Sequence, residues 1–379
     1  MSIYLDNAAT TPMHPEVIKE ITQMMQEEYG NPSSTHSHGR VVRTRIEEAR
    51  KKIASYLNCT PGEIFFTSGG TEADNMAIRK SVSDCGVKNI ISSVIEHHAV
   101  THTIEELVHE GLVVSHHVDL LPNGHINLNH LEDLLKQHPN ALVSLMHANN
   151  EIGNLLDIDK VGELCEKYSA LFHCDTVQTM GHLPIDLNKT NITFLACGAH
   201  KFNGPKGVGF IYINHKTKIT PYLTGGSQER NMRGGTENVY GIVGMAKALS
   251  LAYDHLAHEK NQIQGIKSYM IEQLVEHIPG VKFNGDAFES SLYTVLNVSF
   301  PPSPFSEMLL FKLDISGISA SGGSACSSGS SIGSHVLAAL KSDPTRANVR
   351  FSFGRQNTKE EIDYVIGKLK EMFVGASNS

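Results

Sequence analysis

From residue 15 to about 250, short apolar runs alternate with amphipathic segments, and several of the runs end in a small polar cluster instead of an ordinary turn. Strand, helix, strand in that order is the pattern of an α/β domain with a mostly parallel sheet flanked by helices. The predicted strands are 64–67, 90–94, 141–146, 170–174, 192–196 and 208–213. Val17, Ile21 and Met24 mark one helical face and Val42, Ile46, Ala49 and Ile53 another, with Pro15 and Gly30 as punctuation. The polar clusters are Ser68-Gly69-Gly70-Thr71, Glu96-His97-His98, Asn149-Asn150-Glu151, Asp175-Thr176-Val177-Gln178 and Gly198-Ala199-His200-Lys201. In a parallel sheet the carboxyl ends of the strands share one edge, which is where such folds bind ligands. Five scattered groups are therefore expected to form one site.

A chain of 379 residues, 40% of them hydrophobic and 19% charged, can bury a large core and has room for a second, smaller one. The expected division is a large domain over 15–252 and a small α+β domain made of 1–14 with 253–379. Strands near 294–299 and 348–353 belong to the latter, to which a strand at 3–5 returns. A net charge of -8 without a Lys/Arg cluster argues against a nucleic-acid partner. No apolar run approaches the ~20 residues of a membrane span, and the first residues do not read as a leader peptide, so a cytoplasmic protein is expected. None of the six cysteines forms a C-x-x-C pair, which suggests reduced thiols and no metal site.

Each cluster has a bland reading and a chemical one. Ser68-Gly69-Gly70-Thr71 opens a helix whose N–H groups can hold a phosphate, with Thr71 adding a hydroxyl; the bland reading makes Thr71 an N-cap. Neither nucleotide glycine pattern is present, so a nucleotide is the weaker guess. Asp175 follows an apolar strand and puts a carboxylate at the same edge. There it can keep a pyridine nitrogen protonated, as pyridoxal 5′-phosphate chemistry requires, or simply cap a helix. His97 can stack on such a ring, although one of 21 histidines is more often a surface residue. Lys201 can form a Schiff base with an aldehyde if its cleft is buried. Lys206 rivals it on composition, but Asp175, His97 and the phosphate turn favour Lys201.

Residues 319–331 are almost wholly Ser, Gly and Ala around one cysteine, Cys326. So little apolar area predicts a mobile loop, and a thiol carried on it is accessible as a nucleophile. The other five cysteines suit the ordinary role of small buried hydrophobes.

Taken in order, these motifs resemble the cysteine desulfurases of the NifS/IscS type, class-V aminotransferases of PLP fold type I, over essentially the whole chain. The matching pieces are 4–11 (YLDNAATT), 30–34 (GNPSS), 67–72 (TSGGTE), 149–151 (NNE), 199–201 (AHK), 233–238 (RGGTEN), 323–326 (GSAC) and 350–355 (RFSFGR). The long Ser/Gly loop resembles the subgroup that serves iron-sulfur or thio-modification pathways. The resemblance implies Lys201 as the cofactor lysine, His97 on the ring, Asp175 at the ring nitrogen and Gln178 at the ring hydroxyl. Gly70, Thr71, Gly198 and His200 then surround the phosphate, and Thr236 reaches the cofactor of a second subunit in a homodimer. Arg350, beside Asn150, takes the carboxylate of L-cysteine, with Arg355 as a plausible confusion. Cys326 receives the sulfur as a persulfide, alanine leaves, and the sulfur passes to an acceptor protein. One departure stands out: the family usually has serine where this chain has Gly198, which predicts weaker cofactor retention. A small-substrate aminotransferase, a selenocysteine lyase and a non-catalytic sulfur carrier remain the alternatives.

Overall fold

A computed structural model describes residues 2–322, 333–373 and 375. Its first strand, β1 (Ile3–Tyr4), stands apart from the central sheet. That sheet contains β2 (Ile64–Thr67), β3 (Asn89–Ser92), β4 (Val114–His117), β5 (Leu142–Ser144), β6 (Leu171–Asp175), β7 (Phe194–Gly198) and β8 (Gly209–Ile213). Their spatial order is β2-β8-β7-β6-β5-β3-β4, and β8 alone runs against its neighbours. The expectation of a mostly parallel sheet holds. Six strands consequently send their carboxyl ends to one edge, and β8 begins there.

Alternate residues of each strand face opposite sides, so a sheet covered on both faces must be apolar at nearly every position. In β7, Leu195 and Cys197 pack in the larger core with the helices Pro15–Glu27, Ser37–Tyr56 and Val239–Asp254. Phe194 and Ala196 face the other way, onto Ala73, Met76 and Ala77 of the helix Gly70–Ser83. Each such buried Leu or Phe contributes roughly 1.5–3 kcal/mol. The apolar-run criterion misses β4, an edge strand whose Val114 and His117 are exposed and whose sequence is half histidine.

A second core gathers Ile3 and Leu5 with residues from 263 onward. It is built on β9 (Lys282–Phe283), β10 (Val295–Ser299) and β12 (Asn348–Ser352), which form an antiparallel sheet centred on β10. β1 pairs in parallel with β11 (Ile318–Ser319). The two cores exchange within one residue: Met245 and Leu249 of the helix Val239–Asp254 belong to the first, while Ile263 and Met270 of the helix Leu256–His277 belong to the second. Among the described residues no helix is long and apolar enough to cross a membrane.

Candidate active site

β2 ends at Thr67, whose Oγ1 donates to the carbonyl of Gly69 at 2.9 Å and tightens the turn. Gly69 has φ 156°, a backbone setting that favours glycine. A Cβ at Gly70 would stand 2.5 Å from Val177 Cγ2, so only glycine lets the helix Gly70–Ser83 start this close to the segment after β6. No side chain caps that helix, and Thr71, already inside it, is not the N-cap of the bland reading. The N–H groups of its first turn thus stay available where the helix dipole is positive. β8 enters beside them: a Cβ on Gly209 would lie 2.1 Å from the Cys197 carbonyl oxygen and 2.8 Å from Gly69 Cα. His200, in the turn after β7, has Nδ1 3.2 Å from Thr10 Oγ1, and burial followed by the charges of Lys201 and Lys206 brings its pKa down to about 4.

Asp175 closes β6 and is buried, with Oδ1 accepting the Val177 N–H at 2.8 Å, a local turn and not the helix cap of the bland reading. Burial, then the nearby charge of Asp74, raises its carboxyl to about 7. His97 caps the helix His98–His109 by accepting the Ala99 N–H on Nδ1 at 3.1 Å, which assigns the ring proton of the neutral imidazole to Nε2. Burial and then Lys201 lower the pKa of His97 to about 4, so the ring is uncharged near neutrality. Lys201 Nζ donates to the carbonyls of Ala8 and, at 2.8 Å, Ala9, which ties the first residues of the chain to the site. Gln178 Nε2 donates to the same Ala8 carbonyl at 3.1 Å.

Arg350, on β12, is 1% exposed. Its Nη1 donates to the Asn150 carbonyl at 2.8 Å and its Nη2 to Asp6 Oδ1 at 2.9 Å, while Nε has no hydrogen-bond partner among the described residues. A planar fork held on two sides with one donor unspent suits a carboxylate.

These groups meet in a cavity of about 240 Å³ lined by Gly70, Thr71, His97, Asn150, Asp175, Gln178, His200, Lys201 and Arg350, together with Ala8, Ala9, Asp74, Met146 and Val177. Gly198 stands just behind the turn that opens the helix Gly70–Ser83, where an added Cβ would be 3.4 Å from the Gly70 nitrogen. Thr236 is not brought in: it is exposed and lines a separate cavity with Ser68, Gly207 and Arg233. Cys326 lies outside the described residues. The two rivals separate cleanly, because Lys206 is exposed and Arg355 faces another cavity, 3.8 Å from Glu259.

Sequence reading misses Asp6 and Asp74. Asp6 sits in the YLDNAATT segment with no role legible there; only the fold reveals it as the partner of Arg350. Asp74 did leave a signal, a carboxylate on the helical face that also carries Ala73, Met76 and Ala77, all buried. It is fully buried, neither oxygen has a hydrogen-bond partner among the described residues, and burial raises its carboxyl to about 8.

Residues 3–365 match the family described as aminotransferase class-V. The chain is 41% identical over 375 residues to the cysteine desulfurase IscS of Dictyoglomus turgidum, covering 98% of this chain and 94% of that one. Its fold is similar to that of a NifS-like protein, with a TM-score of 0.91 at 35% identity, covering 99% of this chain and all (100%) of the other. It is also similar to a structure described as SspA in complex with cysteine, with a TM-score of 0.81 at 27% identity over 94% of this chain and 100% of that one.

Proposed function

Since the chain belongs to the aminotransferase class-V family and, within it, to the cysteine desulfurases, we propose that its cavity holds pyridoxal 5′-phosphate on Lys201 and takes L-cysteine as substrate. The observation that carries this reading is the meeting of Lys201, the buried Asp175 carboxylate and a glycine-lined helix start in one cavity of about 240 Å³. Glycine at 70 lets the helix start against Val177, and the open N–H groups of its first turn suit a phosphate dianion. An aldehyde, a phosphate and a basic ring nitrogen each find a matching group.

When bound, pyridoxal phosphate supplies an electron sink for the carbanion left at Cα of an amino acid. The chain's own residues do the rest. Gly70, Thr71, Gly198 and His200 would hold the phosphate, His97 would meet the ring with its neutral imidazole, Gln178 would meet the ring hydroxyl, and Asp175 as carboxylate would keep the ring nitrogen protonated. Arg350 offers Nε and a remaining Nη hydrogen to the substrate carboxylate, with Asn150 beside it. The Lys201 amine takes the Cα proton. Cys326 as thiolate would then attack the substrate sulfur, the S–S bond forming as the C–S bond breaks; the electron pair stays with the carbon skeleton, Cβ takes a proton, and alanine leaves a persulfide on the enzyme.

An acceptor protein of iron-sulfur assembly or thio-modification removes that sulfur, in the cytoplasm. Thr236, exposed on the far side of the phosphate turn, reaches the cofactor of a second subunit in a homodimer. The two-domain division at 252 belongs to the same proposal and is supported by the two separate cores. Cysteine as substrate draws support from the cysteine-bound relative.

The test is chemical. Borohydride reduction of the purified yellow protein should leave a pyridoxyl group on Lys201, and L-cysteine with a reductant should yield alanine and sulfide in equal amounts. A protein that traps no adduct on Lys201 refutes the cofactor assignment. A Cys326→Ser protein that keeps its colour but loses turnover supports the sulfur route, and one releasing both products at the wild-type rate removes it.

A further inference from the structure

We propose that Asp74 and His173 form a buried proton store behind Asp175, and that this store sets the charge Asp175 presents to the nitrogen of a bound pyridine ring. The proposal rests on the reading of the cavity given above and extends it to residues to which that reading gives no role.

Asp74 lies one turn into the helix Gly70–Ser83, past the phosphate cradle, and lines the cavity from behind with no exposed surface. Its Oδ1 stands 3.3 Å from Nε2 of His173, close enough for a proton to be shared after a small rotation, and Nε2 and both Asp74 oxygens have no hydrogen-bond partner among the described residues. On the other side of the imidazole, Nδ1 is 2.9 Å from Ser144 Oγ on β5. His173 and Asp175 are two residues apart on β6 and so point to the same face of the sheet, the one covered by this helix. Serine, imidazole and carboxylate thus form a line ending beside Asp175.

This line has two ways of satisfying its groups, and they differ by one proton. In the first, Asp74 is a neutral carboxyl whose O–H donates to Nε2, and Nδ1–H donates to Ser144 Oγ. In the second, Ser144 O–H donates to Nδ1, and Nε2–H donates to an Asp74 carboxylate. A fully buried carboxylate with no other donor favours the first. Burial raises Asp74 to about 8 and lowers His173 to about 4, in the same direction.

The surrounding charges explain why a store is needed. Facing Asp175 are Asp74 from the helix, His173 from β6 itself, Lys201 from the turn after β7 and the Val177 N–H. Glu96, ahead of the helix His98–His109, is also buried, has Oε2 unpartnered among the described residues and is raised well above its ordinary value by burial, with Asp175 and Asp74 adding to the rise. Three buried carboxyl groups therefore act on one another, the Lys201 ammonium acts on Asp175, and His97 and His173 are neutral. All three cannot be ionised together. A protonated ring nitrogen needs Asp175 to be the ionised one, so the proton must rest on a neighbour. Asp74 has an imidazole placed to receive its O–H. Since it acts through Asp175, Asp74 is a positioning residue.

The test uses apoprotein labelled with ¹³C at the aspartate carboxyls, titrated by NMR from pH 5 to 9.5, with Asp74→Asn and Asp175→Asn for assignment. In the wild type the two carbons should titrate near or above pH 7. In Asp74→Asn, which mimics the neutral acid, Asp175 should titrate lower by about one pH unit or more. The acid limb of pyridoxal phosphate binding to apoprotein should move down by the same amount. The idea is overturned if both wild-type carboxyls titrate below pH 5, or if Asp175 is indifferent to Asp74→Asn; the wild-type curve decides the matter alone should the variant not fold. Failure of the cofactor reading looks different: pyridoxal phosphate then leaves no borohydride adduct on Lys201 whatever the carboxyls do.

Discussion

Two buried charge systems in this molecule have opposite bookkeeping. Beneath β2, Arg50 and Glu229 are paired 179 positions apart, each with a side chain 3% exposed. Arg50 Nη1 donates to Glu229 Oε2 and to the Ile64 carbonyl, Nη2 to Glu229 Oε1, Nε to Glu47, and the guanidinium lies 4.4 Å from the centroid of the Phe66 ring. Glu229 also accepts the Phe66 N–H at 2.8 Å. At the cavity, by contrast, Arg350 Nε and both oxygens of Asp74 have no hydrogen-bond partner among the described residues, nor has one oxygen of Glu96, which lines a neighbouring cavity. A buried charge whose valences are all used holds a fold together. One with valences left over is an offer to a ligand or a proton, and the fold around it must be stable for other reasons.

The comparison breaks most visibly at its satisfied half. Arg50→Met should strand Glu229 without its cation and destabilise the protein by about 3–5 kcal/mol, read as a lower denaturant midpoint. Arg50→Met combined with Glu229→Leu should recover much of that loss. If the single substitution costs nothing, the pair is not the structural element described here.

At the unsatisfied half, Arg350→Lys keeps the charge but loses the fork. The expected loss in kcat/KM for L-cysteine is roughly 10- to 100-fold, from about 1.5–3 kcal/mol of charge-assisted hydrogen bonding. The change should fall mainly on KM. An equal loss in thermal stability with unchanged KM would make Arg350 another Arg50.

Legibility in the sequence follows the same divide. Strands whose residues face two covered sides, such as β7 and β8, announce themselves as apolar runs, and the cavity groups announce themselves by interrupting those runs. The Arg50–Glu229 pair was not legible. Glu229 lies in a segment where Glu229, Arg230 and Asn231 all have positive φ, a conformation no local pattern foretells for non-glycine residues. Asp74 was half legible, since an acid in the first turns of a helix ordinarily reads as solvated and favourable to the dipole. Only the neighbours Ala73, Met76 and Ala77 hinted otherwise. Thr236 stands in the RGGTEN motif, yet among the described residues it lines a cavity other than that of Lys201.

A pH titration sharpens the contrast at smaller amplitude. The folded-state values of Asp74, about 8, and Asp175, about 7, lie above the ordinary 3.8. For raised acids the favourable contribution is complete below the unfolded value and disappears as pH rises through the folded one. Apoprotein should therefore lose stability between about pH 6.5 and 8, by a few degrees in Tm. Buried His173, lowered to about 4, acts in the other direction and only below 6.5, so it leaves this window alone. Asp74→Asn should flatten the slope, and a Tm independent of pH across the window would mean that these carboxyls are ionised or hydrated in the fold.

The smallest effect concerns the phosphate. At Gly198, where the resemblance leads one to expect serine, a Cβ would be 3.4 Å from the Gly70 nitrogen, 3.7 Å from His200 Cδ2 and 3.7 Å from Val177 Cγ1, all ordinary contacts. At Gly70 itself the same atom would meet Val177 Cγ2 at 2.5 Å. One glycine is therefore required by packing, and the other has room for a side chain. Gly198→Ser should add a hydroxyl donor to the phosphate and tighten pyridoxal phosphate binding by about 1 kcal/mol, roughly fivefold, measured as cofactor retained on dialysis. Retention equal to wild type would mean that the Gly198 N–H, or a water, already satisfies the oxygen that serine would reach.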